Sequence, residues 1–159
     1  MAKWLLWLGV MAMAWAETYE APQIWAVDGV SLAYSRLQIE QKLGPSRWDR
    51  PLKASWGGER WEYTYRSGLK AAFVDQDRGR HPRLLVGKQF TSRGSHMVKL
   101  HAGKTQVTEI FGAPNFQTDE HYVYYDGDRL AYLTLHFGES GLDEVVLSRF
   151  RIDSARHQE

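Results

Sequence analysis

The sequence predicts an α+β fold made of two tandem units, each a short helix followed by an antiparallel meander of strands. Three observations predict it. One helical motif occurs twice, both copies stop at a glycine with a proline close behind, and each is followed by runs of alternating residues broken by turn dipeptides.

Internal repetition decides architecture before any local element is assigned. Leu32-x-x-Ser35-Arg36-x-Gln38-Ile39-x-x-x-Leu43-Gly44 aligns at one constant offset with Leu100-x-x-Gly103-Lys104-x-Gln106-Val107-x-x-x-Phe111-Gly112, and Pro45 and Pro114 follow. Further on, Trp61-Glu62-Tyr63-Thr64-Tyr65 matches His121-Tyr122-Val123-Tyr124-Tyr125, and Phe90 matches Phe150. The offset is smaller there because the first unit carries a longer loop between Gly44 and Trp61. The first unit therefore spans 28–90 and the second 100–151. Residues 17–27 form an N-terminal segment, 91–99 a linker and 152–159 a polar tail.

The elements follow in order from local chemistry. Ser35 can cap the first helix with Gln38 reaching back from three residues on, and Thr105 can cap the second. Gly44 and Gly112 suit a left-handed helix stop, and the nearby proline prevents resumption. Ile39 with Leu43, and Val107 with Phe111, give each helix a single apolar stripe that needs a sheet to pack on. In the first unit the strands run over Trp61–Tyr65, Leu69–Val74 and Leu84–Val86, with a turn at Ser67-Gly68 and a polar loop from Asp75 to Arg83. In the second, Asp126-Gly127 between Val123–Tyr125 and Leu130–Phe137 reads as a tight hairpin. A turn at Gly138–Gly141 then leads into Val145–Leu147.

The amino terminus predicts export. Lys3 precedes an apolar run from Trp4 to Ala16 that closes on Ala14-Trp15-Ala16, the pattern of a cleaved signal peptide over 1–16. The run is shorter than the ~20 residues a membrane-spanning helix wants, so the expected location is periplasmic or secreted. The chain contains no Cys, which excludes disulfides, thiol nucleophiles, thiolate metal sites and a lipidated cysteine. Its 20 Lys+Arg nearly balance 19 Asp+Glu, so no broad nucleic-acid footprint is expected.

Gly103-Lys104-Thr105-x-x-Val107-x-x-x-Phe111-Gly112-x-Pro114, an aromatic strand and Phe137-x-x-x-Gly141 resemble the BamE/SmpA-OmlA type of bacterial envelope domain. In tandem, such units are similar to the β-lactamase-inhibitor-protein (BLIP-like) fold, a layered sheet-and-helices domain. The chain departs from the first group in lacking the lipidated cysteine and in carrying two units. The resemblance implies a non-enzymatic envelope protein that binds another protein as scaffold or inhibitor.

The residues themselves offer no catalytic constellation. There is no nucleophile elbow and no phosphate-binding glycine loop, and the six His residues lack metal-ligand spacing. No cofactor, metal or catalytic residue is therefore expected, and His121 and His136 read as structural strand residues. Binding has better candidates. Across the second hairpin, Leu133, Leu135 and Phe137 alternate with Tyr132 and His136, while Val123 and Tyr125 alternate with Tyr122 and Tyr124. The aliphatic set should be buried, leaving Tyr122, Tyr124, Tyr132 and His136 as a partner-binding face. Trp48, Arg50 and Trp56 in the long loop are the second candidate. A protein partner is the leading expectation. The alternative is a glycan or another small envelope ligand stacking on exposed Trp and Arg.

Overall fold

The computed structural model describes residues 25–53, 59–92, 96–128 and 130–151. The expected signal peptide at 1–16, most of the 17–27 segment, Trp56, Gly94, Ser95 and the tail at 152–159 lie outside the described residues. The chain opens with β1 (Ala26–Val27), β2 (Val30–Ser31) and helix α1 (Arg36–Leu43), followed by β3 (Trp48–Lys53), β4 (Glu59–Thr64), β5 (Lys70–Phe73) and β6 (Leu84–Gly87). It continues through β7 (Gln89–Thr91), β8 (Met97–Lys99) and α2 (Lys104–Phe111) to β9 (Phe116–Gln117), β10 (His121–Asp126), β11 (Ala131–Gly138) and β12 (Gly141–Ser148).

Local chemistry explains most of these boundaries. Ser35 caps α1 with a reciprocal box: its Oγ accepts from the Gln38 amide at 3.2 Å, and Gln38 Oε1 accepts from the Ser35 amide at 2.7 Å. In α2 the N-cap is Gly103, with no side-chain cap, and Thr105 lies inside the helix rather than before it. Both helices stop at glycine with positive φ, Gly44 at 82° and Gly112 at 79°. Their ψ values, 176° and −170°, are extended and not left-handed helical. That region is essentially closed to any residue with a Cβ.

The tight Asp-Gly hairpin occurs elsewhere than expected. Asp28 and Gly29, at φ 50° and 76°, join the paired residues Val27 and Val30, so two left-handed residues match the twist of β1 and β2. Asp126 instead still pairs with Ala131, and among the described residues of the connection Leu130 is left-handed at φ 49°.

The strands form two antiparallel sheets, one of four in the order β2-β1-β7-β8 and one of eight in the order β3-β4-β5-β6-β12-β11-β10-β9. This corrects the expected α+β class with its layer of helices. Among the described residues the structure is mostly antiparallel sheet, with only two helices of 8 residues each. Two segments account for the difference. The 91–99 linker contributes to a hairpin, β7 on β8, and the long loop after Gly44 contains β3, an edge strand paired with β4. Pro51 sits within β3 without penalty, because an edge strand has one side that needs no amide.

The large sheet is two four-stranded meanders joined where β6 pairs with β12. One row of directly opposed residues crosses that seam: Tyr63, Ala71, Leu85, Leu147, Leu133 and Tyr124. All are buried, in a single cluster with Val27, Val30, Phe90 and Val98 of the small sheet and Ile39 and Val107 of the helices. The small sheet crosses the seam at close range. A Cβ on Gly87 would stand 2.4 Å from Asp28 Oδ2 and 2.5 Å from Val27 Cγ1. The Asp28 carboxylate meanwhile accepts from the amides of Lys88 at 3.1 Å and Gln89 at 2.9 Å. Gly87→Ala should therefore force the two sheets apart and destabilise the protein by about 1–3 kcal/mol in urea unfolding. An unchanged midpoint would show that β1 does not cross there.

Candidate binding face

Residues directly opposed in an antiparallel pair point to the same side of the sheet, so the register assigns each side chain to a face. Away from the core, one unbroken row runs Trp48, Thr64, Lys70, Val86, Val146, Thr134, Val123, Phe116. It crosses all eight strands, about 33 Å at ~4.8 Å per step. A second row beside it runs Arg50, Glu62, Ala72, Leu84, Ser148, Tyr132, Tyr125. The centre of this face is closely packed, with Thr134, Val123 and Val146 buried, whereas its ends expose aromatic rings. Trp48 is 68% exposed, Phe116 45% and Tyr125 42%.

Each end is held by contacts between neighbouring strands. The Arg50 guanidinium meets Glu62 Oε1 through Nε and Nη2, both at 2.9 Å, and the Arg47 guanidinium lies 5.5 Å from the Trp48 ring. At the other end Tyr125 stacks on Tyr132, with centroids 4.6 Å apart and planes 30° from parallel. The chain leaving β12 turns back over this face: Phe150 lies 5.1 Å from the Arg60 guanidinium, and Arg151 lies 4.7 Å from the Phe116 ring.

The four aromatic residues expected to share one face are divided. Tyr132 and His136 lie on the second face, but Tyr122 opposes Leu135 and Tyr124 opposes Leu133, both on the core side. Tyr124 is buried against Phe111, ring centroids 6.0 Å apart, and its hydroxyl donates to the Gly112 carbonyl at 3.0 Å. Tyr122 packs edge-on against Phe137 at 5.0 Å. Both parities of β10 are bulky and apolar, so its own pattern does not decide its phase, and the unambiguous Leu and Phe positions of β11 do. Moving the internal alignment by one residue pairs Tyr63 with Tyr124 and Trp61 with Tyr122, which matches aromatic to aromatic and carries the correct phase. Trp48 and Arg50 lie on the second face at the β3 edge, across the sheet from Tyr132 and His136, and Trp56 lies outside the described residues. Tyr125, expected on the parity opposite to the binding face, and Phe116, not among the candidates, are the exposed rings on β10 and β9.

Burial shapes the titration of the tyrosines. Tyr124 is pushed up to about 12 by removal from water, reinforced by Tyr122. Tyr65 is pushed higher still by the same cause, with Glu40 adding to it. His121 is held below the ordinary imidazole range, first by burial and then by the facing His136, while Glu120 and Glu144 oppose that shift.

A cleft of about 290 Å³ opens beside α1, lined by Arg36, Glu40, Asp49, Tyr63 and Arg78 among others. Arg36 ties several of the cleft's groups together: it pairs with Glu40 at 3.1 Å and donates to Tyr63 Oη at 2.6 Å and the Gln76 carbonyl at 2.7 Å. Arg36 is thus a clamp between helix and sheet. Among the described residues, no helix is long and apolar enough to cross a membrane.

Two outcomes follow. Tyr124→Ala should lower stability by about 3–5 kcal/mol, whereas Tyr125→Ala, which loses only the stacking on Tyr132, should lower it by about 1 kcal/mol; thermal unfolding of the pair distinguishes the faces. Since the folded protein keeps Tyr124 protonated beyond its unfolded value of about 10, it gains full stability from that group below pH 10. That stability is lost as the pH rises through about 12. An alkaline unfolding series should show the decline, partly flattened by Tyr124→Phe.

No family model, no characterised protein and no solved structure matches the chain.

Proposed function

We propose that this chain is a non-enzymatic, exported cell-envelope protein that binds another protein through the second face of its eight-stranded sheet. The observation that supports the reading best is the placing of Trp48, Tyr125 and Phe116, exposed rings at both ends of one continuous face, while the opposite face is spent on the core. Aromatic side chains supply large contact area at small entropic cost, and interface centres are enriched in Trp, Tyr and Arg. The mixed chemistry at the ends, Arg50 beside Trp48 and the stacked Tyr125 and Tyr132, suits a protein surface that is itself partly apolar and partly charged. The export half of the proposal is supported by the charged start, apolar run and small-x-small close of residues 1–16.

The test uses the full chain produced in a bacterial envelope. Partner capture from envelope extract, with a glycan array alongside, is compared between the wild type and the Trp48→Ala and Tyr125→Ala variants. Each truncation is expected to lower partner affinity by about 1–3 kcal/mol while the melting temperature falls by no more than a few degrees. Undiminished capture by the double variant, or binding to glycans alone, contradicts the proposal. N-terminal sequencing of the recovered protein should begin after Ala16, and a retained Met1 contradicts export.

A further inference from the structure

We infer that Glu120, His121 and His136 form a site for one transition-metal dication of the zinc type, at the β10–β11 end of the second face. The inference is independent of the protein-binding reading. Each of the three residues offers a ligand atom, and these atoms lie within 4.8 Å of one another. Zinc bonds of about 2.0–2.2 Å in a tetrahedron hold ligand atoms about 3.3–3.6 Å apart, so the three must close by roughly an ångström. Half-exposed side chains reach that by small torsional adjustments, without backbone movement.

The backbone already brings the ligands together. His121 and His136 are directly opposed on β10 and β11, with ring centroids 4.6 Å apart. Alternation along β10 alone would send Glu120 to the opposite face, but Glu120 precedes the strand in a turn that Thr118 organises. Thr118 Oγ1 accepts from the amides of Glu120 at 3.3 Å and His121 at 3.0 Å, and the Thr118 amide donates to the His121 carbonyl at 2.8 Å. The Phe137 amide donates to the Glu120 carbonyl at 2.7 Å, pinning the turn to β11. Thr118 Oγ1 also stands 3.4 Å from His121 Nδ1. Metal-ligating histidines commonly place an outer partner there, which fixes the ring and leaves the other nitrogen for the ion.

The donor set selects the class of ion. Two imidazoles with one carboxylate suit zinc and its neighbours in the first transition row, and they disfavour calcium or magnesium, which take all-oxygen shells. Three protein ligands leave a fourth position open to water or to an incoming side chain. Glu144, opposite His136 on β12, adds negative charge beside the ion.

The test is equilibrium dialysis of the metal-stripped full chain against Zn²⁺, with circular dichroism of every apo variant as the folding control. The wild type should bind one ion per chain. His121→Ala and His136→Ala should each weaken binding at least as much as the 10–100-fold that losing an outer partner alone produces. Glu120→Gln, which keeps the shape of an exposed side chain, should weaken it by at least 10-fold with the apo fold intact. His81→Ala should leave it unchanged. Co²⁺ should give the absorption of a tetrahedral site in the wild type and lose it in the His variants. The inference is overturned if the wild type binds no stoichiometric Zn²⁺, if the His121→Ala/His136→Ala chain binds as tightly as the wild type, or if His81→Ala weakens binding equally.

Discussion

The pairing of β6 with β12 is the constraint on which the rest of the structure depends. Leu85 opposes Leu147 and Val86 opposes Val146, and through these pairs two four-stranded meanders become one sheet. Without the seam each meander would expose an additional edge of unpaired amides and carbonyls, a liability that proteins avoid. With it, the buried row from Tyr63 to Tyr124 is continuous, wide enough for the small sheet and both helices to share. The helices could not organise the fold themselves, since eight residues are marginal as isolated helices and each buries one narrow stripe. The seam also dictates both faces at once. A slip of one residue at β6–β12 would carry the Leu85 and Leu147 side chains outward and bring Val86 and Val146 into the core.

Much of this was legible where a residue's chemistry admits one conformation. Ser35 with Gln38, and Gly44 and Gly112 before proline, located the helices, because caps and positive φ are strictly local demands. The strands β6, β11 and β12 were legible, though not their exact starts, because apolar alternation is strong there. What escaped depended on pairing between distant segments. β3 reads as loop because it contains Pro51 and charged residues, and only β4 beside it makes it a strand. The small sheet is assembled from segments before the first helix and between the two units, so neither half announces its partner. The Asp-Gly signal was sound chemistry that applied to Asp28-Gly29 and not to Asp126-Gly127, where β10 and β11 remain paired one residue further.

The candidate face was legible in part, for the same reason. Tyr132 and His136 were placed correctly by the Leu and Phe alternation of β11. Tyr122 and Tyr124 were not, because β10 is bulky on both parities and takes its phase from its neighbour. The consequence is a division of labour among aromatics of one strand: Tyr124 closes the core over the end of α2, while Tyr125, one residue on, stacks on Tyr132 outside it. The convergence of His121, His136 and Glu120 had no linear signature at all. It arises from strand register plus a threonine-organised turn, and neither leaves a spacing that a motif would capture.

The register at the seam sets both the core and the second face, and interstrand backbone NOEs measure it most directly. In the full chain, contacts between the backbones of residues 84–87 and 145–148 should place Leu85 against Leu147 and Val86 against Val146. Contacts displaced by one residue, or none between these strands while those within each meander persist, would contradict the joined sheet and the binding face derived from it.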